Sequence, residues 1–203
     1  MPTRMDAAVT VDFPFCSLLF FSVSSFLCVN PLPPYSLLSA IALITFAAML
    51  IEARRAAANE RAQRARGGTE PPGDVYAVMR VAYPGAFLAM FVEGMWRATP
   101  PLAVVAAGAA LFVAAKALKW WAILSLGPFW TFRVIVVPGA RLVAAGPYRW
   151  LRHPNYVAVM GELGALAMLT GARVSGLLGI AAFGVLILRR VSVEERALRE
   201  AAR

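Results

Sequence analysis

The sequence predicts an all-α, polytopic membrane protein with about five core transmembrane helices, the last two of which form a C-terminal hairpin. The 203 residues are 60% hydrophobic and only 15% charged, and their mean hydropathy is +0.68. A soluble domain of this size needs more polar surface than that. Five apolar runs follow one another along the chain, and the basic residues are concentrated between them.

The five runs cover residues 35–51, 75–95, 102–124, 155–170 and 174–188. A helix needs about 20 apolar residues to cross about 30 Å of hydrocarbon. The first, fourth and fifth runs are shorter, so we expect them to tilt little or to begin in cavities lined by protein. Only the segment "TGARV" joins the last two runs, which forces an antiparallel hairpin. We expect close helix packing at a set of small residues, namely Gly161, Gly164, Gly176, Gly179 and Gly184.

The basic residues predict how these helices are oriented. Sixteen Lys and Arg residues fall in the loop 52–74, the stretch 116–154 and the tail that begins at Arg189, whereas the opposite turns carry only Arg97 and Arg173. The positive-inside rule therefore places the loop 52–74, the loop 125–154 and the C-terminal tail together in the cytoplasm. The formal charge of +9 does not indicate nucleic-acid binding, because the basic residues do not line one polar face.

Residues 1–33 form a hydrophobic extension ahead of the domain predicted for residues 34–203. Its core, "FPFCSLLFFSVSSFLCV", follows a single Arg4. It is interpreted as a signal-like segment, an extra helix or the product of a misplaced start, and no convincing cleavage site is visible. Both cysteines lie within it, and the chain has one histidine. These counts leave too few ligands for a metal site, and none is predicted.

The stretch "GPYRWLRHPNY", residues 146–156, places Arg149, Arg152 and His153, with aromatic rings between them, directly before an apolar helix. It contains the single histidine, and Pro154 suits the first turn of the helix that follows. The hairpin should bring this stretch close to the end of the last apolar run. The residues expected to meet there are Arg149, Arg152, His153, Asn155, Tyr156, Arg189, Arg190, Glu194 and Glu195.

A cluster with charges of both signs could bind a zwitterion. Arginine and histidine suit a carboxylate, and glutamate suits an ammonium group or ribose hydroxyls. Each element also has an ordinary interpretation. Arg149 and Arg152 are typical interface anchors, and "VEERALREAAR" is typical of a solvated helix with internal ion pairs. The convergence of all of them on one place favours a binding site.

The chain resembles the isoprenylcysteine carboxyl methyltransferase family of integral membrane enzymes. The segment "LVAAGPYRWLRHPNYVAVMGELG" is followed one hairpin later by "RRVSVEERAL". The family pattern is RHPxY followed by a pair of glutamates, here residues 152–156 and Glu194-Glu195. The segments "KWWAILSLGPFWTFRVIVVPGARLV" and "IEARRAAANERAQRARGG" also look like bacterial members. The resemblance covers about residues 35–200.

The resemblance implies S-adenosyl-L-methionine as the cofactor. Arg152 and His153 would hold its amino-acid end within the motif that Pro154 and Asn155 complete. Tyr156 would line the pocket. The two acidic residues that would contact polar cofactor groups are Glu194 and Glu195.

The implied reaction is O-methylation of a carboxylate or hydroxyl on a lipophilic acceptor, such as an isoprenylcysteine-like or small lipid-like acid. The acceptor would arrive from the membrane lipid, at the cytoplasmic side of a bacterial cell membrane. An ionised carboxylate needs no general base, so catalysis rests on proximity and alignment. Arg189 or Arg190 would position the acceptor.

Three alternatives remain open at this point. A sterol-reductase-like enzyme that uses NADPH shares the HPNY element, although such enzymes tend to have glutamate where this chain has Val159. A phospholipid N-methyltransferase has similar motifs. A non-enzymatic scaffold or transporter would bind no cofactor.

Glu162 lies seven residues after Asn155 and therefore on the same helix face. An ionised carboxylate near mid-membrane costs about 2.5–3.5 kcal/mol. One interpretation is a protonated side chain bonded to a neighbouring helix. The other is a catalytic role, in which Glu162 faces the cavity below the cofactor. In a transporter, it would belong to a conduction path.

Overall fold

The computed structural model describes residues 34–139 and 143–201, and the N-terminal extension lies outside them. The described chain is all-α, as predicted, apart from one isolated bridge between Thr69 and Val136. Short 3₁₀ turns occupy Gly127–Phe129 and Gly146–Arg149. The helices are α1 (Pro34–Ala65), α2 (Tyr76–Met95), α3 (Leu102–Leu126), α4 (Pro154–Thr170) and α5 (Val174–Ala201).

Each of the five apolar runs forms a helix, but the helices are not equally suited to cross a bilayer. Among the described residues, three segments are long and apolar enough: Ser36–Ala65, Leu102–Phe129 and Val174–Ala197. Helix α4 has 17 residues, which gives a rise of about 25 Å, short of the roughly 30 Å of hydrocarbon. It packs in the centre of the bundle, where Leu163 and Leu166 are fully buried. Other helices of the bundle, rather than lipid, therefore surround most of α4.

Helix α1 is longer than a membrane is thick. Its 32 residues correspond to about 48 Å, and its apolar stretch ends at Ile51. The last turns reach the 127–137 segment that follows α3. Asn59 donates to the carbonyl oxygens of Gly127 and Trp130 at 3.0 and 2.8 Å, and Gln63 donates to that of Pro128 at 3.0 Å. The end of α1 thus holds this segment in place.

Small residues allow α4 to pack closely against both α3 and α5. A Cβ atom on Gly161 would lie 3.0 Å from the Cβ of Ala115, and one on Gly176 would lie 2.7 Å from the Cβ of Ala167. The predicted packing role is confirmed at these two positions. Gly164 has only ordinary contact distances around it, so close approach does not require glycine there.

The α4–α5 hairpin is confirmed, and a carboxylate from α2 fixes its turn. Glu93 accepts hydrogen bonds from the backbone N–H groups of Arg173, Val174 and Ser175 at 3.1, 3.2 and 2.7 Å. It also accepts one from the Ser175 hydroxyl at 2.7 Å. The first N–H groups of a helix have no partner within that helix, so an anion there satisfies them and complements the helix dipole.

Four charged side chains form a closed ring inside the bundle, here called the charge ring: Glu52, Lys116, Lys119 and Glu162. Lys116 Nζ lies 2.8 Å from Glu52 and 3.1 Å from Glu162. Lys119 Nζ lies 2.7 Å from Glu52 and 3.2 Å from Glu162. The side chains are at most 14% exposed, and their formal charges cancel. The ring joins α1, α3 and α4.

The charge ring corrects one step of the sequence argument. The sequence groups Lys116 and Lys119 with basic residues that indicate the cytoplasmic side, but both lie within α3 and pair with interior carboxylates. A lysine neutralised inside the bundle cannot orient a loop. Without these two, fourteen basic residues still stand against Arg97 and Arg173 on the opposite side, so the predicted orientation does not change.

Candidate active site

The start of α4 and the end of α5 meet at one end of the bundle, here called the motif end. A cleft of about 130 Å³ opens there, between the two helices and the 127–137 segment. Basic, acidic and aromatic side chains all contribute to it. Its polar and aromatic lining residues include Phe129, Trp130, Thr131, Arg133, Tyr148, Arg152, His153, Asn155, Tyr156, Arg190 and Glu194.

His153 lies between the two glutamates of α5. Its Nδ1 is 3.8 Å from a Glu194 oxygen, and its Nε2 is 3.8 Å from a Glu195 oxygen. The imidazole stacks on the ring of Tyr156, with 5.5 Å between centroids and 26° between the planes. His153 is also the residue immediately before α4, whose first residue is Pro154. The structure therefore brings the RHPxY residues and the glutamate pair together.

Arg152 stands at the rim of the cleft. Its side chain is 87% exposed, and its guanidinium lies 3.5 Å from Glu195. An exposed ion pair of that length is weak. The guanidinium can therefore turn towards an anionic ligand at small cost.

The two arginines proposed to position the acceptor differ in their surroundings. Arg189 is exposed. Arg190 is buried, and its guanidinium lies 3.3 Å from Asp74. It also donates to the Phe132 carbonyl oxygen and, at 2.8 Å, to the Tyr156 hydroxyl. Arg190 thus lines the cleft with most of its donors already engaged.

Glu162 is not among the residues that line the cleft. It is fully buried in the charge ring and accepts a hydrogen bond of 2.6 Å from the Tyr83 hydroxyl. Lys116 and Lys119 offset the cost of burying an ionised carboxylate. Neither the protonated side chain nor the cavity-facing side chain considered from the sequence includes such a pairing with lysines. A role for Glu162 in the reaction stays a prediction.

Sequence reasoning missed two residues that shape the cleft. Asp74 accepts hydrogen bonds from the backbone N–H groups of Tyr76 and Val134, each at 3.0 Å. Its position just before α2 was the only available signal, since aspartate is typical there. Arg133 pairs with Glu70 at 2.8 Å and lies over the Tyr76 ring at 4.6 Å. Nothing in its sequence context distinguished it from a loop arginine.

The cleft has the donors and acceptors that a zwitterionic nucleoside ligand requires. The Asn155 Oδ1 and Trp130 Nε1 atoms are buried and have no hydrogen-bond partner within the described part of the chain. Such atoms are costly unless a ligand or water satisfies them. Burial raises the pKa of Tyr148, and the nearby Glu194 raises it further, so this phenol stays neutral. The cleft therefore offers a ligand charged groups of both signs, two buried polar atoms that have no partner, and aromatic surfaces.

Comparison with known proteins identifies the family of this chain. The model of the isoprenylcysteine carboxyl methyltransferase (ICMT) family matches residues 108–200. The uncharacterized protein YpbQ of Bacillus subtilis is 32% identical over 164 residues, which cover 81% of this chain and 96% of the relative. The chain belongs to the ICMT family. An uncharacterized protein of Haemophilus influenzae is 22% identical over 141 residues, covering 69% of this chain and 82% of that protein.

Family membership establishes a membrane methyltransferase, and the three membrane-capable helices agree with an integral membrane protein. The matched residues begin in α3 and contain the RHPxY motif and both glutamates. Asp74 and Glu52 precede them. No solved structure matches the chain.

Proposed function

We propose that this ICMT-family protein is an S-adenosylmethionine-dependent O-methyltransferase that acts on a carboxylate or hydroxyl of a lipophilic acceptor. The observation that carries the proposal is the meeting of His153 with Glu194 and Glu195 at the mouth of one cleft. Charges of both signs within one small site suit a ligand that itself carries both. Bound there, the cofactor supplies a methyl group activated by a sulfonium.

Residues of the motif end divide the recognition of the cofactor between them. Arg152 and His153 bind its carboxylate, since both can donate hydrogen bonds to an anion. Glu194 and Glu195 accept from its ammonium group or its ribose hydroxyls. The buried Asn155 Oδ1 accepts one further N–H or O–H donor, and Tyr156 forms the wall behind them.

The acceptor reaches the cleft from the surrounding lipid. An ionised carboxylate is already a nucleophile, so the protein must align it and exclude water rather than remove a proton. Arg189 is the stronger candidate for orienting the acceptor, because its side chain is exposed whereas Arg190 is engaged with Asp74. The aromatic rings of Phe129 and Trp130 restrict water on the side of the 127–137 segment.

The motif end faces the cytoplasm in this proposal, and cysteine labelling can test it. With Cys16 and Cys28 replaced by serine, single cysteines are placed at the exposed positions Ala62 and Glu200, and at Ala98 as the control on the opposite side. We expect a membrane-impermeant maleimide to label only Ala98→Cys in intact cells or right-side-out vesicles. Labelling of Ala62→Cys or Glu200→Cys from outside would show that the motif end does not face the cytoplasm.

A methyl-transfer assay tests the reaction. Purified protein is incubated with S-adenosylmethionine labelled in its methyl group and with bacterial lipid extracts. We expect label in a lipophilic product that forms only with active protein. Mild base releases methanol from a methyl ester, so release indicates a carboxylate acceptor, whereas a base-stable methyl ether indicates a hydroxyl acceptor. Label found only on phospholipid amines would contradict O-methylation.

A further inference from the structure

We propose that Asp74 is a positioning residue for the cofactor site, acting through Arg190 and Tyr156 to hold the Glu194 carboxylate in the cleft. The inference rests on the proposed function. Asp74 lies in the connection between α1 and α2, outside the residues that match the family.

The first step is the fixed position of Asp74. Its side chain is 3% exposed. One carboxylate oxygen accepts from the Tyr76 N–H and lies 3.3 Å from Arg190, and the other accepts from the Val134 N–H. Backbone groups on two sides therefore hold the carboxylate at the start of α2 and against the 127–137 segment. Asp74 therefore presents a negative charge at a fixed position to Arg190.

The second step concerns the direction of the hydrogen bonds that connect Arg190, Tyr156 and Glu194. Arginine has donors and no acceptor, so in the contact between Arg190 Nε and the Tyr156 hydroxyl, at 2.8 Å, the hydroxyl oxygen must accept. The one hydrogen of that hydroxyl is then available for another partner. It is donated to Glu194 at 3.0 Å. The buried guanidinium thus determines where the phenol O–H points, and the phenol fixes one oxygen of Glu194.

The third step concerns the charge balance between Asp74 and Arg190. Asp74 balances the charge of Arg190, whose side chain is 7% exposed. A buried cation without a counter-charge is strongly unfavourable. If Asp74 were neutral, Arg190 would attract the Glu194 carboxylate, to which it is connected through the Tyr156 hydroxyl. Asp74 therefore leaves the negative charge of Glu194 available to a ligand.

The experiment is a calorimetric titration of the full-length protein with S-adenosylhomocysteine. We expect Asp74→Asn to raise the Kd by tenfold or more. In a Glu194→Gln background, the same substitution should change the Kd by less than twofold, because its effect passes through Glu194. A general structural defect would persist in both backgrounds. Glu93→Gln is the control, since it disturbs the turn at the opposite end of the bundle and should lower Tm while leaving Kd unchanged.

A second variant covers the case in which Asp74→Asn does not fold. Tyr156→Phe keeps the Asp74–Arg190 pair and the aromatic ring but removes the connecting hydroxyl, and it should weaken binding to a similar extent. Unchanged affinity in Tyr156→Phe, or additive effects of Asp74→Asn and Glu194→Gln, would overturn the inference while wild-type binding still supports the proposed function. Failure of the wild-type protein to bind would overturn both.

Discussion

Replacing Glu162 with glutamine is expected to lower the melting temperature of the detergent-solubilised protein by roughly 10 °C. The substitution leaves Lys116 and Lys119 with a single carboxylate, Glu52, inside the bundle. Removal of one partner from a buried ion pair typically costs about 3–5 kcal/mol, because the remaining charge is left uncompensated. Because Glu162 is outside the cleft lining, the Kd for S-adenosylhomocysteine should stay the same.

The matched double variant separates lost charge balance from lost packing. Glu162→Gln combined with Lys119→Met removes one charge of each sign and leaves the Glu52–Lys116 pair, which is 2.8 Å apart. We expect it to recover much of the stability that either single variant loses. A stable Glu162→Gln protein whose turnover falls tenfold, about 1.4 kcal/mol of barrier, would instead support the catalytic interpretation of this residue.

Glu194→Gln is expected to weaken S-adenosylhomocysteine binding by roughly tenfold to a hundredfold. A hydrogen bond to a charged group contributes about 1.5–3 kcal/mol, and glutamine keeps the size of the side chain while removing its charge. The Tyr156 hydroxyl can still donate to the amide oxygen, so the local packing should remain. Calorimetric titration of the purified variant gives the change in Kd directly.

Glu200→Gln provides the matched control for that substitution. Glu200 is an exposed residue of the same helix and does not line the cleft. The Glu200→Gln substitution removes the same charge from α5 as Glu194→Gln does, so a general electrostatic effect would appear in both variants. Equal loss of affinity in Glu194→Gln and Glu200→Gln would show that Glu194 has no specific contact with the ligand.

The sequence was most informative where the chain itself imposes proximity. The short "TGARV" connection between two apolar runs permits only a hairpin, so the RHPxY residues had to lie near Glu194 and Glu195. Helical periodicity and the position of Pro154 then placed the polar residues at the start of α4. None of these inferences needed information about how distant helices pack.

The remaining features depend on contacts between helices that are far apart in sequence. Lys119 pairs with Glu52 and Glu162, which lie on two other helices, and a charge near the end of an apolar run looks the same as one that flanks a loop. Asp74 meets Arg190 across 116 residues. Hydropathy and residue spacing do not indicate which distant side chains will pair. The charge ring and the pairing of Asp74 with Arg190 beside the cleft therefore could not be predicted.

Calorimetric titration of the wild-type protein with S-adenosylhomocysteine and, separately, with NADPH tests the central claim most directly. Both ligands contain adenosine, but only the first carries the amino-acid group that suits Arg152, His153 and Glu194. We predict saturable binding of one S-adenosylhomocysteine per chain and no measurable heat with NADPH. Saturable binding of NADPH, without binding of S-adenosylhomocysteine, would contradict the assignment of this cleft to a methyl donor.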